Sequence, residues 1–249
     1  MIELKTYLQA FAPISLNEMD SVALMNRTDT KFILPQSQLP KLLEMVQPYY
    51  QMLEIENERA SRYNSKYFDT PEFQFYHEHH RGKADRVKVR IRNYVESGVW
   101  FLEVKRKNKK GDTVKNRVST DGFISSFSDL QREFVETASR RQVELLPSFE
   151  NAFQRITLVN TELKERCTID LNLTFNGFPA FGSAAKQLII IELKQSRLNR
   201  KSPVMQALKE LQIRPFKMSK YCLGLATVVP QLKQNNFKQK FLKINKIIN

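Results

Sequence analysis

The chain has 249 residues, 41% of them hydrophobic, which suffices for one large domain or two small ones. Forty Lys and Arg against 26 Asp and Glu give a formal charge of +14, which favours anionic partners such as nucleotides, polyphosphate, nucleic acid or an acidic membrane surface. No apolar run is long enough to span a bilayer, the start lacks a secretory pattern, and Cys167 and Cys222 have neither metal-ligand spacing nor disulfide density, so a soluble cytoplasmic protein is expected.

In chain order, Ser15 to Met19 reads as a short helix, with a serine cap and Glu18 three residues on. Asn26 to Leu34 alternates as a strand that Pro35 closes. Ser37 to Val46 is an amphipathic helix with Leu39, Leu42, Leu43 and Val46 on one side. Tyr63 to Asp69 is a strand, Asp69-Thr70-Pro71 a turn, and Glu72 to His80 a short helix. Three strands follow, near Asp85–Val95, Val99–Lys107 and Asp112–Thr120, joined by hairpin-like turns at Glu96-Ser97-Gly98 and Lys109-Lys110-Gly111-Asp112. Ser125 to Val143 is expected to be helical. Strands fit Ala152–Leu158, Arg166–Phe175 and Gln187–Lys194. A helix from Ser202 to Leu211 has a Ser-Pro start, and another runs from Ser219 to about Val229. No linker splits residues 1–230. Residues 231–249 form a basic tail with five lysines and no acid, and Phe237, Phe241, Ile244 and Ile248 recur at helical spacing. The tail reads as a helix on the protein's own sheet or a disordered end, or as an amphipathic helix docking on an anionic membrane or a membrane-protein partner at its inner face.

The segment Arg86-Val87-Lys88-Val89-Arg90-Ile91-Arg92 carries cations at every even position and β-branched apolar residues at every odd one. Cations side by side on a strand repel, and a polyanion across that face is the simplest reason for them. The other reading is an exposed strand whose charges discourage edge pairing. The alternation recurs: Arg27, Asp29 and Lys31 share a face, as do Glu103, Lys105 and Lys107, Lys115 and Arg117, Glu192 and Lys194, and Thr168, Asp170 and Asn172. Helices are available to cover the apolar faces. The expected architecture is therefore α+β, a closed antiparallel barrel with a polar, water-filled interior and helices outside. Few carboxylates among many cations suit a divalent ion bound together with phosphates. There is no Gly-rich phosphate loop, so side chains must do the holding. His77, His79 and His80, all the histidines of the chain, sit at a helix-to-strand junction, where adjacent histidines do not converge on one ion; a hydrogen-bonding role is expected.

At these residues the chain resembles the VTC domain (the catalytic domain of the vacuolar transporter chaperone), a member of the triphosphate tunnel metalloenzymes, which include CYTH-type triphosphatases. The resemblance runs in order over Arg27-Thr28-Asp29-Thr30-Lys31-Phe32, Ser65 to Pro71, Arg86 to Arg92, Phe101 to Lys105, Ala152 to Arg155, Glu165 to Asp170, Ile191 to Lys194 and Ser219-Lys220-Tyr221. It implies an eight-stranded antiparallel tunnel and transfer of the ATP γ-phosphate onto inorganic polyphosphate with Mn²⁺ or Mg²⁺. It also implies phosphate contacts from Lys31, Arg90, Arg92, Lys105, Lys115, Arg155, Arg166 and Lys220. Ser219 would donate a hydrogen bond to phosphate, and Glu192 would be the main metal ligand, with Glu103 ranked below it. Arg27, Lys88 and Lys194 lie on the same faces and join them as substrate-binding candidates. The chain departs from the family pattern at Phe153, where a phosphate-contacting tyrosine is expected. Its first strand reads Arg-x-Asp-x-Lys rather than the Glu-x-Glu-x-Lys of CYTH-type hydrolases, which argues against a two-metal hydrolytic site.

The terminal phosphate of a growing chain is already anionic and needs no general base, which fits an expected absence of histidine near the charged strands. Two other functions stay open: a triphosphate or polyphosphate hydrolase on the same fold, and a non-catalytic polyphosphate-binding module. Nucleic acid is not an expected partner, because the aromatics are not interleaved with the cations on an obvious stacking platform.

Overall fold

A long antiparallel ladder organises the chain. The computed structural model describes residues 2–19, 27–181 and 188–248; Asn26 and Gln187, the first residues of two expected strands, lie outside them. The elements are α1 (Ile2–Gln9), β1 (Ala12–Ile14), α2 (Leu16–Met19), β2 (Thr28–Pro35), α3 (Leu39–Val46), β3 (Gln51–Leu53), β4 (Ser61–Asp69), α4 (Gln74–His80), β5 (Arg86–Tyr94), β6 (Val99–Lys107), β7 (Thr113–Ser119), α5 (Asp129–Ser139), β8 (Leu146–Asn160), β9 (Glu165–Phe175), β10 (Phe178–Pro179), β11 (Leu188–Gln195), α6 (Pro203–Glu210), α7 (Lys220–Val228) and α8 (Lys238–Ile248). Eight strands follow the order β2-β11-β9-β8-β4-β5-β6-β7, with β3 added on β8, β1 parallel to β3, and β10 on β9. The three added strands are two or three residues long, too short to show a period.

Local chemistry moves several expected boundaries. The helix expected from Ser125 starts at Ser128, whose hydroxyl and Gln131 form a capping box, and ends at Arg140, which takes a left-handed φ of 57°. The strand expected over Ala152–Leu158 is longer at both ends. In β9, Asn172 has a φ of 52° at a bulge, where the register against β8 shifts between Ala152 and Gln154. The extra residue turns Asn172 out to solvent and Leu173 inward, so Asn172 does not continue the face of Asp170 as the alternation predicts.

The expected closed barrel is an open but curled sheet: among the described residues, no ladder joins β2 to β7. Six ladder steps separate β2 from β6, about 29 Å in a flat sheet. Yet Lys105 on β6 feels the charges of Lys31 and Asp29 on β2 and of Glu192 on β11, so the ends curl toward each other. Two features keep the seam from zipping. The Lys31 carbonyl on β2 accepts the Phe216 N–H at 2.7 Å, so the segment before α7 occupies that edge. Every residue of β7 is exposed, and its charged Lys115 and Arg117 are of the kind that discourage edge pairing.

The convex face is apolar and covered. Phe32, Leu34, Ile169, Ile189 and Ile191 pack beneath α1, α3 and α6. Val87, Val89, Ile91, Leu102 and Val104 pack beneath α5 and the segments flanking it. Each such fully buried aliphatic side chain contributes about 1.5–3 kcal/mol. The concave face differs from the wholly polar interior expected. Ile33, Tyr67, Phe149, Leu173, Phe175 and Ile190 form an apolar patch capped by α7 and α8. Ile244 and Ile248 of α8 are buried there, and α8 packs on β2 and β11, so the apolar face that membrane docking would need is covered by the protein itself. Among the described residues, no helix is long and apolar enough to cross a membrane.

Candidate functional site

The strand period puts the remaining concave positions in ordered rows. Along β5 and β6, Arg90 lies opposite Glu103, Lys88 opposite Lys105, and Arg86 opposite Lys107. Along β9 and β11, Arg166 lies opposite Lys194 and Thr168 opposite Glu192, while Lys31 of β2 pairs with Glu192. Arg155 of β8 lies opposite Asp170 of β9. At the N-terminus of α7, Ser219 caps the helix by accepting the Cys222 N–H, which brings Lys220 into the same channel. Lys31, Lys88, Arg90, Arg92, Lys105, Lys115, Arg155, Arg166, Lys194, Ser219, Lys220, Glu103 and Glu192 thus share one concave surface. Arg27 lies at its rim, paired with Asp29 at 3.0 Å.

Three carboxylates organise these cations. Glu103 is 2% exposed; Arg90 holds one oxygen at 2.6 Å and Lys115 the other at 2.5 Å. Burial pushes the Glu103 carboxyl up, but Arg90, Arg92 and Lys115 outweigh it and hold it near 2, so it is ionised. Asp170 accepts two bonds from Arg155, at 2.6 and 2.9 Å, and one from Lys220. Burial opposes its charge, and Arg155 and Lys220 overcome that. Glu192 meets the Lys31 ammonium at 3.3 Å and Lys194 at 3.0 Å, and its carboxyl lies well below the usual range because those lysines outweigh its burial.

Several cations have no carboxylate of their own. Lys105 makes no ion pair among the described residues; desolvation within the channel, then Lys88, push its ammonium down to about 8. Its chain is solvent-accessible, so the crowding comes from channel walls rather than full burial. The Arg166 Nε is buried with no hydrogen-bond partner among the described residues. Lys88 donates to the Ser219 hydroxyl at 2.9 Å. Ser219 accepts from both Lys88 and the Cys222 N–H, so its own proton stays free to donate into the channel.

The implied divalent cation can be tested against these donors. Among the described residues, no three His, Cys, Asp or Glu side chains cluster. A hard cation bound together with phosphates needs only one or two carboxylates. Glu192 fits: its side chain is 20% exposed and its partners are two flexible lysines. Glu103 and Asp170 fit less well, since each is buried and already gripped by two cations.

Two readings of the sequence are corrected here. Aromatics do interleave with the cations: Tyr63 and Phe153 stack at 5.3 Å and 2°, and the Arg92 and Arg155 guanidiniums lie 5.1–5.7 Å from their ring centroids. Lys220 sits 3.2 Å above the Phe153 ring, so Phe153 offers its π face where a hydroxyl was expected. These rings come from different strands, and no local pattern brings them together. A histidine also lies beside the charged strands: His79 bonds the Val87 carbonyl at 3.1 Å, and burial, then Lys88, push its imidazolium down to about 2, so it is neutral. His80 is buried and takes the Asn236 N–H at 3.2 Å, tying α4 to the segment before α8.

A curled antiparallel sheet with a concave surface of fixed cations and three charge-balancing carboxylates, of which Glu192 is the most accessible, defines a channel protein suited to an extended, highly charged anion. The chain belongs to the VTC domain family, whose sequence model matches residues 26–229. No curated protein matches it. Among solved structures it is similar to a candidate adenylate cyclase from Vibrio parahaemolyticus, at 10% identity and a TM-score of 0.47, covering 80% of this chain and 98% of that one. A Pyrococcus horikoshii OT3 protein matches at 14% identity and 0.46, covering 83% and 99%. A candidate adenylyl cyclase from Hippeastrum, described as having a dominant triphosphatase activity, matches at 16% and 0.48, covering 82% and 96%.

Proposed function

We propose that this protein is a polyphosphate polymerase that moves the γ-phosphoryl group of ATP onto a growing inorganic polyphosphate chain inside the cationic channel. An oxygen of the chain's terminal phosphate attacks the γ-phosphorus, the bond to the β-phosphate bridging oxygen breaks, and ADP leaves. The acceptor oxygen is already ionised, so no base is required. Arg90, Arg92 and Arg155 offer forked N–H groups to phosphate oxygens, and Lys31, Lys105, Lys115 and Lys220 act as point charges. Arg166, whose buried Nε has no partner among the described residues, is an anion clamp. Glu192 would hold Mn²⁺ or Mg²⁺, which when bound neutralises charge on the phosphates. The observation that carries this reading is the charge imbalance of the channel: directly opposed cations, with Glu192 more accessible than the buried Glu103 and Asp170.

The test is to incubate the protein with ATP and Mn²⁺, with and without a short polyphosphate primer, and to resolve products on a gel. Polymer appearing with ADP supports the polymerase. Free phosphate without polymer moves the assignment to the hydrolase, and tight polyphosphate binding without turnover leaves a binding module.

A further inference from the structure

Beyond the Arg90–Glu103 row, β5 and β6 carry two successive rows of like charge, Lys88 opposite Lys105 and Arg86 opposite Lys107. Like charges directly opposite each other destabilise an antiparallel pair, and here there are two such rows about 7 Å apart. Neither Lys105 nor Lys107 has a carboxylate partner among the described residues. Glu192 and Asp29 reach Lys105 only as distant charges, and the elements facing the rows add further cations. A cavity of about 340 Å³ opens over these rows, lined by Arg86, Lys88, Lys105, Lys107, Lys217 and Lys240, and no carboxylate lines it. Met218, Leu223 and Phe237 form its apolar side. Lys217 comes from the segment that bridges the sheet's seam, and Lys240 comes from α8. Residues 238–248 lie beyond the matched domain, so this chain's own extension supplies that cation. Lys88 and Lys105 belong to both the channel and the cavity, which makes the two continuous.

We propose that this cavity is a second anion site, which holds inorganic oligophosphate extending past the phosphates gripped at Arg90, Arg92 and Arg155, with Lys240 of α8 as its outer clamp. The proposal rests on the channel binding a phosphate chain. A single phosphate would leave most of the six cations unneutralised; a linear chain running along the β5–β6 rows meets them in turn. Lys240 stands 5.1 Å from the Phe237 ring centroid and has no carboxylate partner among the described residues; burial and then Lys217 lower its ammonium.

The test is calorimetric titration of the full chain with tripolyphosphate and with long-chain polyphosphate, in wild type and in the double variant Lys107→Gln/Lys240→Gln. A thermal melt checks folding, which both partly exposed positions should tolerate. The wild type should bind the long chain more tightly than tripolyphosphate. The double variant should lose about tenfold in long-chain affinity, keep its tripolyphosphate affinity, and show a shallower salt dependence for the long chain, as expected when two fewer cations engage the anion. Equal loss for both anions, or no loss for either, overturns the proposal. If the wild type binds tripolyphosphate but gains nothing from chain length, the cavity assignment falls and the channel reading stands. If it binds neither anion, both fall.

Discussion

Arg155 and Asp170 lie directly opposite each other on β8 and β9, joined by two parallel bonds of 2.6 and 2.9 Å. The same carboxylate binds Lys220 at the start of α7. One buried acid therefore fixes two cations from different parts of the fold, both aimed into the channel. This is how a cationic channel folds without its ligand: each internal carboxylate organises the cations next to it and leaves others unsatisfied.

Replacing Asp170 by Asn should leave Arg155 and Lys220 as uncompensated buried charges. Breaking a buried pair in this way costs about 3–5 kcal/mol. Urea unfolding should show a loss of that order, partly restored by saturating tripolyphosphate, which supplies the missing anion. A loss below 1 kcal/mol would mean that the carboxylate is not organising the site.

Lys105, with its ammonium lowered to about 8, predicts how the channel responds to pH. Its folded pKa lies below the unfolded value near 10.4. The unfolded chain therefore binds more protons between those values, and this group's contribution to stability rises with pH from about 8 to 10. Anion binding runs the other way: phosphate favours the charged ammonium, so affinity should fall from pH 7 to 9. Proton uptake on tripolyphosphate binding at pH 8, read from calorimetry in buffers of different ionisation heat, should fall in Lys105→Arg, with the remainder coming from Lys220, whose ammonium burial lowers to about 7.

The cation–π floor predicts a difference between two substitutions at Phe153. Phe153→Leu removes the ring beneath Lys220, Arg92 and Arg155, an effect of about 0.5–2 kcal/mol on holding those cations. The KM for ATP should rise several-fold. Phe153→Tyr keeps the ring and should stay near wild type. Equal behaviour of the two variants would remove the ring face from the account.

Gly224 of α7 stands against Phe149: a Cβ there would lie 2.2 Å from the ring's Cζ, and that ring is buried in the concave apolar patch. Gly224→Ala should destabilise the fold by about 1–3 kcal/mol and weaken anion binding by shifting Ser219 and Lys220. Alanine at the half-buried Gly122, where an added Cβ meets nothing within 4 Å, is the control.

Much of this was legible in the sequence because strand chemistry has a period of two. Arg86 to Arg92 announced a charged face and an apolar face, and Val87, Val89 and Ile91 are indeed fully buried opposite the cations. The eight long strands followed from the same signal. What the sequence could not show depends on distant contacts or on single backbone angles. The left-handed Asn172 switches which residues of β9 face inward, and nothing in the alternation announces it. The Tyr63–Phe153 stack and the Lys217–Lys240 cavity wall each join segments far apart in the chain. At the sheet's open edge the Phe216 N–H takes the Lys31 carbonyl, a contact set by the path into α7.

The most direct test of the central claim is a ³¹P NMR time course of ATP turnover with Mg²⁺, in wild type and in Glu192→Gln, whose fold is checked by its melt. The account predicts growing mid-chain phosphoryl resonances alongside ADP in the wild type, reduced at least a hundredfold in Glu192→Gln. Accumulation of orthophosphate with no mid-chain signal, or a Glu192→Gln protein that makes polymer at the wild-type rate, would contradict it.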